Sequence, residues 1–282
     1  MSAAEIRIDP LSGLRAIVVL DGPLPGPAAA TATLATDPDG PFEPLLTPSA
    51  ADPPAEEIPS LFASLPARGA HELIEHAGAL AERSVEQAQA AVDLWRERMR
   101  AHDDAAYVHV GVDENAAGES RAQLHAFAFV PAAVARERER FGAHALRTMG
   151  ANLLEDLVAE EVRRRERVVA IDGEAVLWCP YASRHPYALT LAPRRRRERF
   201  QDDGATGAAL LHHGLTLLAR RLGSRTPLSL WVRTAPRGAE RFCWRIDVVA
   251  RPAAADGLEL GTEIARNPVA PERAAADLRA LR

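Results

Sequence analysis

The sequence predicts a mixed α/β (α+β) protein in which one α/β unit occurs twice. Three observations carry this. Strand, helix, strand, strand follow one another between residues 71 and 130, and the same order returns between 187 and 250. Apolar residues alternate in the segments read as strands and recur at helical spacing in those read as helices. The chain has 282 residues, 47% hydrophobic and 26% charged, enough for one large core or two smaller ones. Identity between the halves is weak, so the repeat rests on element order.

In chain order, Glu5 to Leu20 reads as a short strand pair turning at Pro10 to Gly13. Gly22 to Glu57 is rich in Pro, Ala, Gly, Thr and Asp without a period, which predicts a long irregular arm. His71 to His76 is a strand. Val85 to Arg100 is a helix, because Val85, Ala88, Val92, Trp95 and Met99 share one face, and Ser84 with Gln87 forms a capping box at its start. Tyr107 to Val112 and Gln123 to Val130 alternate as strands. Pro131 to Arg165 is largely helical, with Arg–Glu pairs on its outer face.

The second half opens with a hairpin, Val168 to Ile171 and Ala175 to Cys179, around Asp172-Gly173. Tyr187 to Leu191 is a strand, Gly207 to Leu222 a helix, Leu228 to Val232 and Phe242 to Ala250 strands, and Pro271 to Leu281 a closing helix. The expected organisation is an N-terminal pair and arm over 1–66, a first unit over 67–166 and a second over 167–282.

Composition removes several function classes. No apolar run of signal-peptide type opens the chain, and no stretch approaches the roughly 18 apolar residues of a membrane span, so a soluble cytoplasmic protein is expected. Two cysteines, Cys179 and Cys243, make neither a disulfide framework nor a C-x-x-C zinc site. The net charge of −5 disfavours nucleic-acid binding. All 34 basic residues are arginine, which excludes a lysine nucleophile, a Schiff base and a P-loop lysine. Arginine still suits phosphate, since its planar fork donates two hydrogen bonds at once.

An ordered series of segments carries a family resemblance. Arg7-Ile8-Asp9-Pro10-Leu11-Ser12-Gly13 is similar to R-x-D-P-L-T-G. Asp37-Pro38-Asp39-Gly40-Pro41-Phe42-Glu43 is similar to D-P-x-C-P-F-C, and Ile58-Pro59-Ser60-Leu61-Phe62 to V-P-N-x-F. Gly69-Ala70-His71-Glu72-Leu73-Ile74, Ala116-Ala117-Gly118-Glu119-Ser120, the run Ala122 to Pro131, Pro180 to Pro193, Gly257 to Thr262 and Asn267-Pro268-Val269 continue the series. In this order they resemble the galactose-1-phosphate uridylyltransferases of the histidine-triad superfamily, over nearly the whole chain.

The resemblance implies two histidine-triad-like units in one chain, each an antiparallel sheet with packed helices, and a homodimer. It also implies transfer of a uridylyl group between hexose 1-phosphates through a covalent intermediate on the second histidine of H-P-H-x-Q. An imidazole suits that role because it can attack phosphorus and leave again. Here only Arg121 separates Ser120 from Ala122, so one alignment deletes both histidines. An ungapped alternative puts Glu119 and Arg121 in their places, and arginine stays protonated. The C-x-x-C ligands fall on Gly40 and Glu43, and the histidines of F-H-W-H-I fall on Cys243 and Arg245. Zinc is therefore not expected, and no metal ligands are assigned.

By resemblance, Ser120, Gln123 and Arg121 remain as phosphate-binding residues, and Ser60, Phe62 and Glu259 as nucleotide- or sugar-binding residues. His125 is the one imidazole near the motif. Arg121, Gln123 and His125 alternate and so share a strand face, although packing is the ordinary role of such a histidine. His212 and His213 are adjacent on a helix and do not share a face. The arginine runs 163–165 and 194–197 read as solvated ion pairs, with an anion patch as the alternative. Cys243 reads as a buried thiol. Three functions follow: a degenerate relative that binds a nucleotide, nucleotide sugar or sugar phosphate; a nucleotidyltransferase or nucleotide-sugar hydrolase with altered chemistry; and a non-catalytic dimeric scaffold.

Overall fold

A computed structural model describes residues 3–22, 56–58, 65–67, 69–76, 79–204, 206–250 and 257–281. Ser60, Phe62, Gly40, Glu43 and most of the predicted arm lie outside them. The architecture centres on one antiparallel sheet of eight strands. Its strands, in chain order, are β5 (Gly69–His76), β6 (Tyr107–Glu114), β7 (Ser120–Phe127), β8 (Val168–Ile171), β9 (Ala175–Trp178), β10 (Leu189–Pro193), β11 (Leu228–Arg233) and β12 (Arg245–Ala250). Across the sheet the order is β5-β7-β6-β11-β12-β10-β9-β8.

That order displays the predicted repeat. Helix α1 (Val85–Arg100) follows β5, and helix α4 (Ala208–Leu222) follows β10. Each is followed by a strand pair, β6–β7 and β11–β12, so the order β5-β7-β6 meets its mirror β11-β12-β10. The two units are one continuous sheet, because β6 pairs with β11, Trp231 opposite Gly111 and Leu230 opposite Val112. Both units contribute to one apolar core: Val110, Val112, Ala122 and Leu124 from the first and Leu189, Leu191, Leu230 and Val248 from the second, with Trp95 and Met99 of α1 and Leu211, Leu215 and Leu218 of α4.

The predicted capping box at Ser84 is present in full, with Ser84 accepting from the Gln87 amide and Gln87 accepting from that of Ser84. The stretch read as largely helical is two helices, α2 (Ala132–Arg147) and α3 (Leu153–Arg164). Gly150 at φ 109° breaks it, and Asn152 caps α3 by accepting from the Leu154 and Glu155 amides. These helices cover the second face of the sheet, where Val134, Phe141, Leu154 and Val158 pack with Val176, Trp178 and Phe242.

Three smaller differences have local causes. Strand β7 begins at Ser120 rather than Gln123, since pairing with β6 runs back to Glu114 opposite Ser120. Strand β12 begins at Arg245 rather than Phe242, and Cys243 and Trp244, though fully buried, precede it. The C-terminal segment forms helix α5 (Gly257–Thr262) and strand β13 (Ala265–Asn267) before α6 (Pro271–Ala280). Strand β13 joins the N-terminal pair β1 (Ala4–Ile8) and β2 (Arg15–Val19) by parallel pairing with β2. A short pair, β3 (Glu56–Ile58) with β4 (Leu65–Ala67), completes the strands. No helix among the described residues is long and apolar enough to cross a membrane.

Candidate functional site

Alternation along β6, β7, β11 and β12 divides their residues between two faces. Val108, Val110, Val112, Ala122 and Leu124 are buried in the common core, whereas His109, Gly111, Gln123 and His125 are half-buried on the other side. Register then sets residues beside one another. Gln123 stands opposite Gly111, Gly111 opposite Trp231, Trp231 opposite Asp247, and Asp247 opposite Thr190. On the next line His125 stands opposite His109, and Arg233 opposite Arg245. The first line runs from the first unit into the second.

Gly111, at the middle of the first line, has the His109 ring packed against it: a side-chain carbon there would lie 3.3 Å from His109 Nε2, a tight contact. Burial, then the Arg233 charge and then His125, push the His109 pKa down to about 4, so its imidazole is uncharged at neutral pH. His125 packs differently, its ring stacked on Phe127 at 5.9 Å. Two donors at this junction, Trp231 Nε1 and Arg233 Nε, are buried without a hydrogen-bond acceptor. Arg233 Nε lies 3.5 Å from Glu137, an ion pair without a hydrogen bond.

Beside this junction, over β10 to β12, lies a cavity of about 220 Å³ walled by Trp178, Thr190, Trp231, Arg233, Arg245 and Asp247. Its charges are matched internally. Arg245 donates two hydrogen bonds to Glu137, both 3.0 Å, and one to Asp247 at 2.9 Å. Thr190 donates to Asp247 at 2.8 Å. Burial alone would raise the Glu137 pKa, but the Arg245 and Arg233 guanidinium groups hold it below the usual carboxylate range. Arg245 and Cys243 occupy the positions where the resemblance places histidines. A guanidinium already bonded to two carboxylates does not fit a metal site, and no group of three His, Cys, Asp or Glu among the described residues is arranged to hold an ion.

The structure therefore brings together only some of the residues singled out in the sequence. Gln123 and His125 share the half-buried face, with Arg121 exposed at its end. Ser120 does not join them: it is buried on the opposite side, where its hydroxyl accepts from Arg83 at 3.4 Å. The odd–even alternation of β7 forces this separation. Glu259 lies on α5 and accepts from Arg184 at 3.0 Å. His212 contacts the Arg83 carbonyl at 2.7 Å. The arginine runs are ion-paired, Arg163 and Arg164 with Glu160, Arg197 with Glu174 and Asp203. The sequence reading missed His109, Trp231 and Arg233. The pattern His109-x-Gly111 among buried valines was a readable signal for the first, whereas the other two depend on β6 pairing with β11.

No family model matches the chain, and no curated protein sequence matches it significantly. Solved structures do match. A GalT-like protein from Arabidopsis thaliana aligns at TM-score 0.74 with 18% identity, covering 98% of each chain. An ADP-glucose phosphorylase from Arabidopsis thaliana, solved with bound ADP-glucose, aligns at TM-score 0.73 with 20% identity, covering 98% of this chain and 99% of that one. A uridylyltransferase aligns at TM-score 0.72 with 19% identity, covering 98% and 97%. The chain therefore has the fold of the GalT-like and uridylyltransferase proteins.

Proposed function

We propose that this protein binds a nucleotide sugar or sugar phosphate on the face formed by β6, β7 and β11, without the standard covalent uridylyl transfer. One observation carries the reading. Gln123 and Trp231 flank Gly111, and Trp231 Nε1 and Arg233 Nε, in the wall of the neighbouring cavity, are buried donors without acceptors. Phosphoryl and sugar oxygens supply what such donors lack. Support also comes from the ADP-glucose in a structure of the same fold. The position of the covalent nucleophile, on either alignment, holds no histidine, because the nine histidines include none between His109 and His125.

Calorimetry with ADP-glucose, UDP-glucose, UMP and galactose 1-phosphate tests the reading. Binding of at least one is expected, weakened about tenfold or more by Gln123→Ala through loss of a hydrogen bond to a charged group. Heat with none of the four, on folded protein, sinks it. Intact-mass measurement after incubation with UDP-glucose is expected to show no added nucleotide. A filled-in relic acting only as a scaffold is disfavoured by the open cavity of about 220 Å³ beside the site.

A further inference from the structure

We propose that the cavity over β10 to β12 is a sugar site, taking the pyranose ring of a nucleotide sugar or sugar phosphate whose phosphate lies on the neighbouring face. The inference rests on the reading of that face given above. It adds where the sugar sits: in the second unit, on residues of its own.

The sheet sets the two regions side by side. The line Gln123, Gly111, Trp231, Asp247, Thr190 continues one strand further, because Thr190 stands opposite Trp178. Residues paired in this way point to the same side of the sheet. Trp231, Asp247, Thr190 and Trp178 all line the cavity, so an acid and a hydroxyl lie along it between two indoles. Three strand spacings, about 14 Å, separate the indole-bearing strands. A ligand reaching from Gln123 into the cavity meets Trp231 first.

Donors without acceptors are the second support. Arg184 Nε, Trp231 Nε1 and Arg233 Nε are buried without a hydrogen-bond partner, and all three residues line this cavity. A buried donor left so costs free energy that a ligand oxygen recovers. Trp231 and Arg233 belong to β11, and Arg184 to the segment before β10. Donors on separate elements suit a pyranose, whose hydroxyls project all round the ring.

Charge and size decide the class of ligand. Three guanidinium groups, of Arg184, Arg233 and Arg245, line the cavity with four carboxylates, of Asp9, Glu137, Glu161 and Asp247. Burial lowers the His185 pKa, so the imidazole in the same wall adds no charge at neutral pH. A wall without excess positive charge does not favour a phosphate dianion, but it suits an uncharged polyol. The volume of about 220 Å³ is below the roughly 300 Å³ at which pockets for drug-sized ligands begin. One sugar ring is the scale of group it admits, and the apolar faces of such a ring pack well on indole.

Calorimetry tests the site by comparing ADP-glucose, UDP-glucose and galactose 1-phosphate with the sugar-free ADP, UDP and inorganic phosphate. A sugar ligand is expected to bind about tenfold tighter than its sugar-free counterpart. Arg184→Met should remove about that gain and leave the Kd of the counterpart within about threefold. Proton NMR of the complex should show Overhauser contacts from pyranose protons to the indoles of Trp178 and Trp231. Equal Kd with and without the sugar overturns the site. So does an unchanged or equal effect of Arg184→Met on both ligands, or indole contacts from base protons in place of pyranose protons. Each of these leaves the binding reading standing. Binding of none of the three sugar ligands by folded protein fails that reading itself, and the sugar site with it.

Discussion

At the start of β12, Arg245 is a cation enclosed by two carboxylates. Its side chain is 6% exposed and that of Glu137 2% exposed, so neither charge is stable there without the other. Removing one partner of such a buried pair typically costs about 3–5 kcal/mol. Arg245→Met is therefore expected to destabilise the protein by about that amount in chemical denaturation, and an unchanged midpoint would show that the pair contributes nothing. The pH dependence has a definite sign. Arg245 and Arg233 depress the folded-state pKa of Glu137, so its contribution is present above the unfolded-state value. It is lost as pH falls through the folded one. In Arg245→Met burial is left to raise that pKa, so the loss of stability should be largest near neutral pH and shrink as acid protonates the carboxylate. The thiols are a second residue-scale case. Burial raises the pKa of both cysteines, that of Cys243 to about 12, so neither is expected to react with a thiol reagent until the chain unfolds.

Helix α1 is the element whose sequence and structure agree most closely. Its start, end and buried face follow from residues within one another's reach: Ser84 and Gln87 at the cap, and Val92, Trp95 and Met99 three and four apart. Ser84→Ala is expected to cost about 1 kcal/mol, measured by thermal or chemical unfolding. A loss below the error of that measurement would mean the exposed N-terminal turn is held by packing alone. The helix pair α2 and α3 shows the opposite case. Apolar periodicity runs across the break, while the signals that stop and restart the helix, Gly150 and Asn152, are single residues. Strand β13 is three residues long and exists because β2 offers it an edge, a condition no local pattern encodes.

For the whole molecule, the joint between β6 and β11 ties the two units into one sheet. Residues of the two units lie in one core, so heating is expected to give a single calorimetric transition, and two separated transitions would contradict a shared core. A homodimer in sedimentation analysis is expected from the family resemblance, and a monomer would contradict it.

From the sequence alone came the repeated element order, most helices and strands, the sharing of one face by Gln123 and His125, and the lack of a histidine in the motif region. These are local or additive properties, set by periods of two and 3.6 residues and by residue chemistry. The tertiary structure alone decided that Gly111 and Trp231 come side by side from different units. Cross-strand register decides this, because it sets residues more than 100 positions apart side by side and no spacing in the chain records it.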